Sequence, residues 1–270
     1  MSAKTPVALA VAGSDSSAGA GLQADLKTFS ALGVYGATVV TAITAQNTKA
    51  VTAIHIVPPD FIAAQLDAVF SDLSVAAVKT GMLGDAKTIE TVADRLAQWA
   101  AGLPIVVDPV MISSTGSRLM DRSGETALKE RLLRQAALLT PNIYEAAALL
   151  GVDAAQSEDE MKRQAERLLR LGPAAVLLKG GHSAGPLATD LFFEGKEFRF
   201  HSSSRIATRN THGTGCTLAS AIAAFLVRGF ILEEAVSQAK QYVHGAIEHG
   251  RDLNIGDGFG PISHFYRQVN

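Results

Sequence analysis

One cysteine, Cys216, stands in 270 residues. An internal disulfide is therefore impossible, and a reducing, cytoplasmic setting is expected. Charge is sparse and balanced: 24 Lys and Arg against 26 Asp and Glu give a formal net charge of −2, with no block of one sign. That balance argues against nucleic acid or an anionic membrane surface as the main partner. No apolar run is long enough to span a bilayer, and no N-terminal signal pattern is visible. There is no G-x-x-x-x-G-K-[ST] phosphate loop, and residues 32–48 contain no acidic side chain. What is present is 47% hydrophobic and 19% charged, a composition that builds a large core and excludes disorder.

Short apolar runs alternate with helical periodicity along the chain. Residues 7–12, 75–79, 105–108, 137–140 and 174–179 read as buried strands. Residues 21–32, 85–100, 123–135, 143–150, 157–171, 217–228 and 232–249 carry apolar side chains at helical spacing, and Pro58-Pro59-Asp60 opens another helix to Asp72. Residues 34–46 and 51–57 flank an Asn47-Thr48-Lys49 turn, which predicts a ribbon. A second hairpin is expected from residues 191–193 and 197–201. Ser157 and Glu160 have the spacing of a capping box. No repeat or linker divides residues 1–270. The pattern predicts one doubly wound α/β domain: a mainly parallel sheet, helices on both faces and a small β extension.

In such sheets ligands bind beyond the carboxyl ends of the strands, so the strand ends matter most. The first runs into Gly13-Ser14-Asp15 and a glycine-rich loop, and residues 41–45 run into Gln46-Asn47. Later ends read Thr80-Gly81-Met82, Asp108-Pro109, Thr140-Pro141-Asn142 with Glu145 one turn on, and Lys179-Gly180-Gly181-His182. The segment Asn210-Thr211-His212-Gly213-Thr214-Gly215-Cys216-Thr217 precedes an apolar helical run. A glycine-flanked turn at a helix N-terminus gathers free N–H groups and a positive dipole end, which suits an anion. Asp108, Glu145 and Lys179 would meet it at one rim: oxygens for a divalent cation, positive charge for phosphates. Singly, each has a plainer reading: Asp108 shaping a turn before Pro109, Glu145 favouring a helix start, Lys179 solvated.

Gly19-Ala20-Gly21-Leu22-Gln23-Ala24 fits G-x-G-x-x-A, but six residues separate it from the first strand. It also lacks the acid expected about twenty positions on. A dinucleotide fold is rejected. Asp15 and Asp25, flanking these glycines, suggest instead a loop closing over a small polar ligand.

Together these motifs resemble the hydroxymethylpyrimidine/phosphomethylpyrimidine kinases of the ribokinase-like superfamily. The resemblance runs through AGSDSSAGAGLQADLKTFSALGVYG, TAQNT, KTGMLG, VDPVM, TPNIYEAAALLG, LLKGGH and NTHGTGCT, nearly the whole chain. It implies ATP- and Mg²⁺-dependent phosphorylation of a hydroxymethylpyrimidine and then of its monophosphate, in thiamine biosynthesis. A pyridoxal/pyridoxine kinase of the same fold is the alternative. The resemblance places the pyrimidine against Gly13, Asp25, Gln46 and Met82, and Mg²⁺ near Asp108 and Glu145. It places ATP near Lys179, Asn142, Thr211 and Lys240, and the transferred phosphoryl in an anion hole formed by Gly213, Thr214, Gly215 and Cys216. It further implies a homodimer paired through residues 34–57 and a flap over residues 111–120, with Ser113, Ser114, Thr115 and Gly116. Sugar kinases of this superfamily carry Asp where Cys216 stands. A thiol at a helix N-terminus has a lowered pKa, so its protonation state is open from sequence.

Overall fold

Seven consecutive buried residues, VALAVAG, form the central strand β1 (Val7–Gly13). An unbroken apolar run is what burial on both faces of a parallel sheet demands. The computed structural model describes residues 5–112, 116, 118–181 and 185–268. Along the chain follow α1 (Gly21–Ala31), β2 (Tyr35–Gln46), β3 (Val51–Ile56), α2 (Pro59–Asp72), β4 (Val75–Thr80), α3 (Ala86–Trp99) and β5 (Ile105–Val107). Then come α4 (Arg122–Ala127), β6 (Leu138–Leu139), α5 (Ile143–Leu150), α6 (Glu158–Leu169), β7 (Val176–Lys179), β8 (Leu187–Phe193), β9 (Phe198–Ser204), α7 (Thr214–Val227) and α8 (Leu232–Gly250).

These strands form one sheet in the order β3-β2-β1-β4-β5-β6-β7-β8-β9. The six from β2 to β7 are parallel; β3, β8 and β9 are antiparallel additions at the two edges. The chain leaves β1 toward β2 on one side and returns to β4 on the other, so the topological switch point lies between β1 and β4. One face of the sheet is covered by α1, α7 and α8 through Leu22, Phe29, Leu218, Ile222, Phe225 and Tyr242. Side chains of α2 to α6, among them Ile62, Leu66, Ile89, Leu96 and Leu149, cover the other. Helix α7 is buried at nine consecutive positions, Thr217 to Phe225. A helix apolar all round must lie in the interior, and α7 packs against β1, β4, β5, α1 and α8. Its N-terminus is thereby fixed beneath the switch point.

Three expectations shift. The segment 123–135 is no single helix: α4 gives way to a π-helical turn, Leu128–Leu132, and a 3₁₀ turn, Leu133–Gln135. The wider turn brings Leu133 round to the side of Leu128 and Leu132, and all three are buried. At α6, Ser157 accepts from Glu160 N as expected, but Glu160 accepts from Gln156 N, not from Ser157. Helix α7 starts three residues early, at Thr214, so Thr214, Gly215 and Cys216 are its first turn.

Candidate active site

Gly213 caps α7 with φ +83°, and a β-carbon there would lie 1.9 Å from Gly19 O. Only glycine combines that left-handed backbone with so close an approach. Thr214, Gly215 and Cys216 follow as first-turn residues whose N–H groups have no carbonyl a turn earlier within the helix. The other letters of the motif hold this turn in place. Asn210 Nδ2 donates to the carbonyls of Gly250 and Leu253 at 2.8 and 2.7 Å, tying the end of α8 to the turn. His212 N donates to Gly260 O, and its Nε2 lies 2.8 Å from Asp15 Oδ2. Asp15 in turn accepts from the N–H groups of Ser17, Gly19 and Ala20. Burial works against its charge, but hydrogen bonds from His212, Ser17 and these amides hold Asp15 down at about 2. The loop after β1 and the α7 turn are thus one unit. Thr211, exposed, accepts from Thr214 Oγ1 at 2.9 Å.

Facing this turn stand the strand-end residues. Lys179 Nζ, at the end of β7, lies 2.8 Å from Asp108 Oδ1, just past β5. Thr140 Oγ1, past β6, lies 3.2 Å from the same oxygen. A β-carbon on Gly215 would stand 3.4 Å from Lys179 Nζ and 3.8 Å from Asp108 Oδ2. The helix N-terminus therefore looks directly onto the pair. Burial disfavours the Lys179 charge, but the Asp108 and Glu145 carboxylates outweigh it and keep the ammonium above the ordinary lysine range. Asn142 bridges to Lys179 as a parallel extension of β6 and caps α5. There Asn142 Oδ1 accepts from Glu145 N while Glu145 Oε2 accepts from Asn142 N, a complete capping box. Burial pushes the Glu145 carboxyl up to about 7; Lys179 opposes the rise and Asp108 adds to it.

The residues matched to a pyrimidine site separate into two groups. Gly13, at the end of β1, meets Met82, just past β4, and Gln46 ends β2. Gly13 N donates to Met82 O, and a β-carbon on Gly13 would stand 3.1 Å from Met82 Sδ. Gln46 Nε2 lies 3.4 Å from His212 Nε2. Met82 also lines a cavity of about 300 Å³ with Ile54, Ile56 and Met120. Asp25 is elsewhere. It is fully buried on α1, with both oxygens on Lys79 Nζ at 2.8 and 2.9 Å and the Ser220 hydroxyl on Oδ1. An acid on the Leu22–Phe29 face of α1 must find a buried partner, and Lys79 supplies it.

Lys240 likewise has a protein partner. Its Nζ lies 2.7 Å from Asp190 Oδ2 on β8, and Asp190 Oδ1 accepts from Gly180 N, next to Lys179. At Cys216 the helix dipole does not win. Burial pushes the thiol up to about 11 despite the nearby Lys79 ammonium, leaving it neutral near pH 7. Of the expected flap, Ser113, Ser114 and Thr115 lie outside the described residues, as does His182 of the strand-end motif. An antiparallel bridge joins Ile112 to Arg118 on either side. Sequence reasoning passed over Lys79, Asp190 and Ser220, and named Asp15 and Thr140 only as loop and strand-end residues. Only Lys79 carried a plain signal, as a lysine inside an otherwise apolar strand.

Known proteins resemble this chain throughout. The sequence profile of the phosphomethylpyrimidine kinase family matches residues 15–263. A hydroxymethylpyrimidine/phosphomethylpyrimidine kinase of Rhizobium meliloti is 55% identical over 263 residues, covering 97% of this chain and 98% of the relative. A Clostridium difficile phosphomethylpyrimidine kinase superposes with a TM-score of 0.79 at 42% identity, over 90% of this chain and 100% of that one. Staphylococcus aureus pyridoxal kinase, in complex with AMP-PCP and pyridoxal, superposes with a TM-score of 0.89 at 34% identity, over 99% and 96%. Matches of this extent leave no part of the fold unaccounted for, and the chain belongs to the phosphomethylpyrimidine kinase family.

Proposed function

We propose that this kinase transfers the γ-phosphoryl of ATP to 4-amino-5-hydroxymethyl-2-methylpyrimidine, and then a second to the resulting monophosphate, in thiamine biosynthesis. The observation that carries this reading is the Lys179–Asp108 pair set against Gly215 in the first turn of α7. Phosphoryl transfer passes through a loose transition state, where positioning and electrostatics do most of the work. The Gly215 and Cys216 N–H groups and the Lys179 ammonium would hold the moving phosphoryl. Gly13, Gln46 and Met82 would hold the acceptor: Gln46 offers a donor and an acceptor to an aminopyrimidine edge, and Met82 an adaptable apolar wall.

Asp108 and Glu145 suit Mg²⁺, which typically takes one or two carboxylates and completes its shell with water and phosphate oxygens. Burial raises Glu145 to about 7 and the nearby Asp108 charge adds to the rise, so a cation beside the two carboxylates would favour the ionised form. When bound, the ion would neutralise charge building on the phosphate oxygens. Asn142, which bridges to Lys179, and Thr211, just before the α7 turn, would lie near the bound ATP. Lys240, through Asp190, would hold Gly180 and so the end of β7, rather than touch the nucleotide itself.

A neutral Cys216 removes no proton from the acceptor. The second acceptor needs no base, since a phosphate monoester with a pKa of roughly 6 is already anionic at neutral pH. A fixed carboxylate at this point would repel it. This explains why one site serving an alcohol and a phosphate carries a thiol here.

The chain acts as one domain over residues 1–270, in the cytoplasm, and as a homodimer through the β2–β3 ribbon. Tyr35, Ile43 and Ile54 on that ribbon are 63%, 55% and 39% exposed, and β3 is an edge strand. The similarity to a kinase holding pyridoxal makes that alcohol the competing acceptor. Initial rates with ATP and each alcohol test the reading: the pyrimidine should be the faster substrate. A preference for pyridoxal would reverse the assignment.

A further inference from the structure

Near the end of β4 an apolar run is interrupted by Lys79, which is fully buried. Its ammonium meets both oxygens of Asp25 on α1, at 2.8 and 2.9 Å. Asp25 Oδ1 also accepts the hydroxyl of Ser220 on α7 at 2.6 Å. Both ionic side chains are 0% exposed. A β-carbon on Gly81 would stand 2.9 Å from Lys79 Nζ, so the chain leaves β4 with only hydrogen facing the ammonium. Three elements, α1, β4 and α7, converge on one carboxylate at the switch point.

As a source of stability such a pair is poor, because desolvating two charges cancels most of their attraction and apolar residues of like volume do as well. Geometry is what it supplies. A carboxylate held by two charge-assisted bonds and a hydroxyl has one orientation. Ser220 lies one turn after Cys216 on the same face of α7, and the charges of Lys79 and Asp25 both act on the Cys216 thiol. The grip therefore falls directly behind the Gly215 and Cys216 N–H groups.

We propose that Asp25, Lys79 and Ser220 are positioning residues that set the depth and register of the first turn of α7 over the Asp108–Lys179 pair, without touching either substrate. The inference rests on the kinase reading above for its kinetic consequences, but the placement of the turn can be read without turnover. It reassigns Asp25 from a contact with the pyrimidine to a support for the phosphoryl site.

Ser220→Ala leaves the ion pair whole and removes only the link to α7. It should slow both phosphorylations about tenfold, with the KM values for ATP and pyrimidine changing less than about twofold. Amide hydrogen exchange at Thr217, whose N–H closes the first turn on Gly213 O at 2.8 Å, should quicken about tenfold while the middle of α7 stays protected. That second readout holds even if the pyrimidine proves not to be the substrate, so wild-type turnover judges the proposed function and the exchange ratio judges this inference. The apolar triple variant Asp25→Leu/Lys79→Met/Ser220→Ala should melt no lower than wild type yet remain at least about tenfold slower. Unchanged exchange at the first turn in Ser220→Ala would overturn the proposal. So would a tenfold rise in the pyrimidine KM with kcat intact, which would mark Asp25 as a direct substrate contact acting through its orientation. If the triple variant does not fold, Ser220→Ala alone decides.

Discussion

Replacing Cys216 by aspartate should separate the two phosphorylations. The thiol occupies a site that burial and the neighbouring Asp25 and Asp108 charges make hostile to anions, with Lys79 the opposing cation. In Cys216→Asp the new carboxylate would face the acceptor directly. The alcohol acceptor is neutral, whereas the monophosphate carries a charge of about −1.5 to −2 near neutral pH. At about 5 Å and an effective dielectric of about 20, each unit of like charge costs about 3 kcal/mol. Lys179 and a bound cation would screen much of this, leaving a difference of about 1.5 to 3 kcal/mol between the two acceptors. The expected result is a further loss of roughly 10- to 100-fold in the second step relative to the first. Initial rates measured with each acceptor separately, by mass analysis of the products, give the ratio directly. The environment that raises the thiol will also raise a carboxyl, so the discrimination should grow from about pH 6 to about pH 9 as the new group ionises. Cys216→Ser, which adds no charge, should leave the ratio unchanged. Equal losses in both steps, or a ratio independent of pH, would refute the electrostatic reasoning.

Other perturbations give distinct signatures. Lys179→Met should lower kcat for both acceptors by about 10² or more, since a charge facing the transferred group is lost while Asp108 is left unpaired; steady-state kinetics would show it, and a loss confined to KM would contradict the assignment. Glu145 titrates near 7 when folded against 4.5 when unfolded. The folded state therefore holds its proton longer, and metal-free stability should fall as pH rises through that window, by about 3 kcal/mol in all. Denaturant melts from pH 5 to 8 should show the slope, and Glu145→Gln should flatten it. Asn210→Ala removes the amide that holds the Gly250 and Leu253 carbonyls. It should cost about 2 kcal/mol in a urea titration, and a neutral result would mean the end of α8 is held by other contacts.

How much of this was legible in the sequence depends on the distance over which each interaction acts. The ribbon β2–β3 was readable because Asn47-Thr48-Lys49 punctuates two runs rich in Val, Thr and Ile. Asp108, Glu145 and Lys179 were readable as a rim because each stands at, or one turn beyond, the end of an apolar strand, and parallel strands place their ends together. The resemblance set Asp25 against the pyrimidine, whereas the structure buries it against Lys79, for an instructive reason. Its position on the apolar Leu22–Phe29 face of α1 called for a buried cation, but the cation lies 54 residues away on β4, and a periodicity names no partner. The protonation state of the Cys216 thiol stayed open in the sequence because helix position is local while burial is not. Asn142 and Glu145 obey the same capping rule applied at Ser157, with Asn in place of Ser. Asp190 and Lys240 meet across β8 and α8, a contact that only the antiparallel edge of the sheet creates.

The central claim is that one site, built by the start of α7 and the Asp108–Lys179 rim, phosphorylates an alcohol and then the phosphate it has made. Incubation of the purified protein with ATP, Mg²⁺ and 4-amino-5-hydroxymethyl-2-methylpyrimidine, followed by mass spectrometry over time, tests it directly. The account predicts that the monophosphate rises first and the diphosphate follows, both slowed together by about 10² or more in Lys179→Met. A monophosphate that accumulates without conversion, or a diphosphate that forms at the wild-type rate in Lys179→Met, would contradict it.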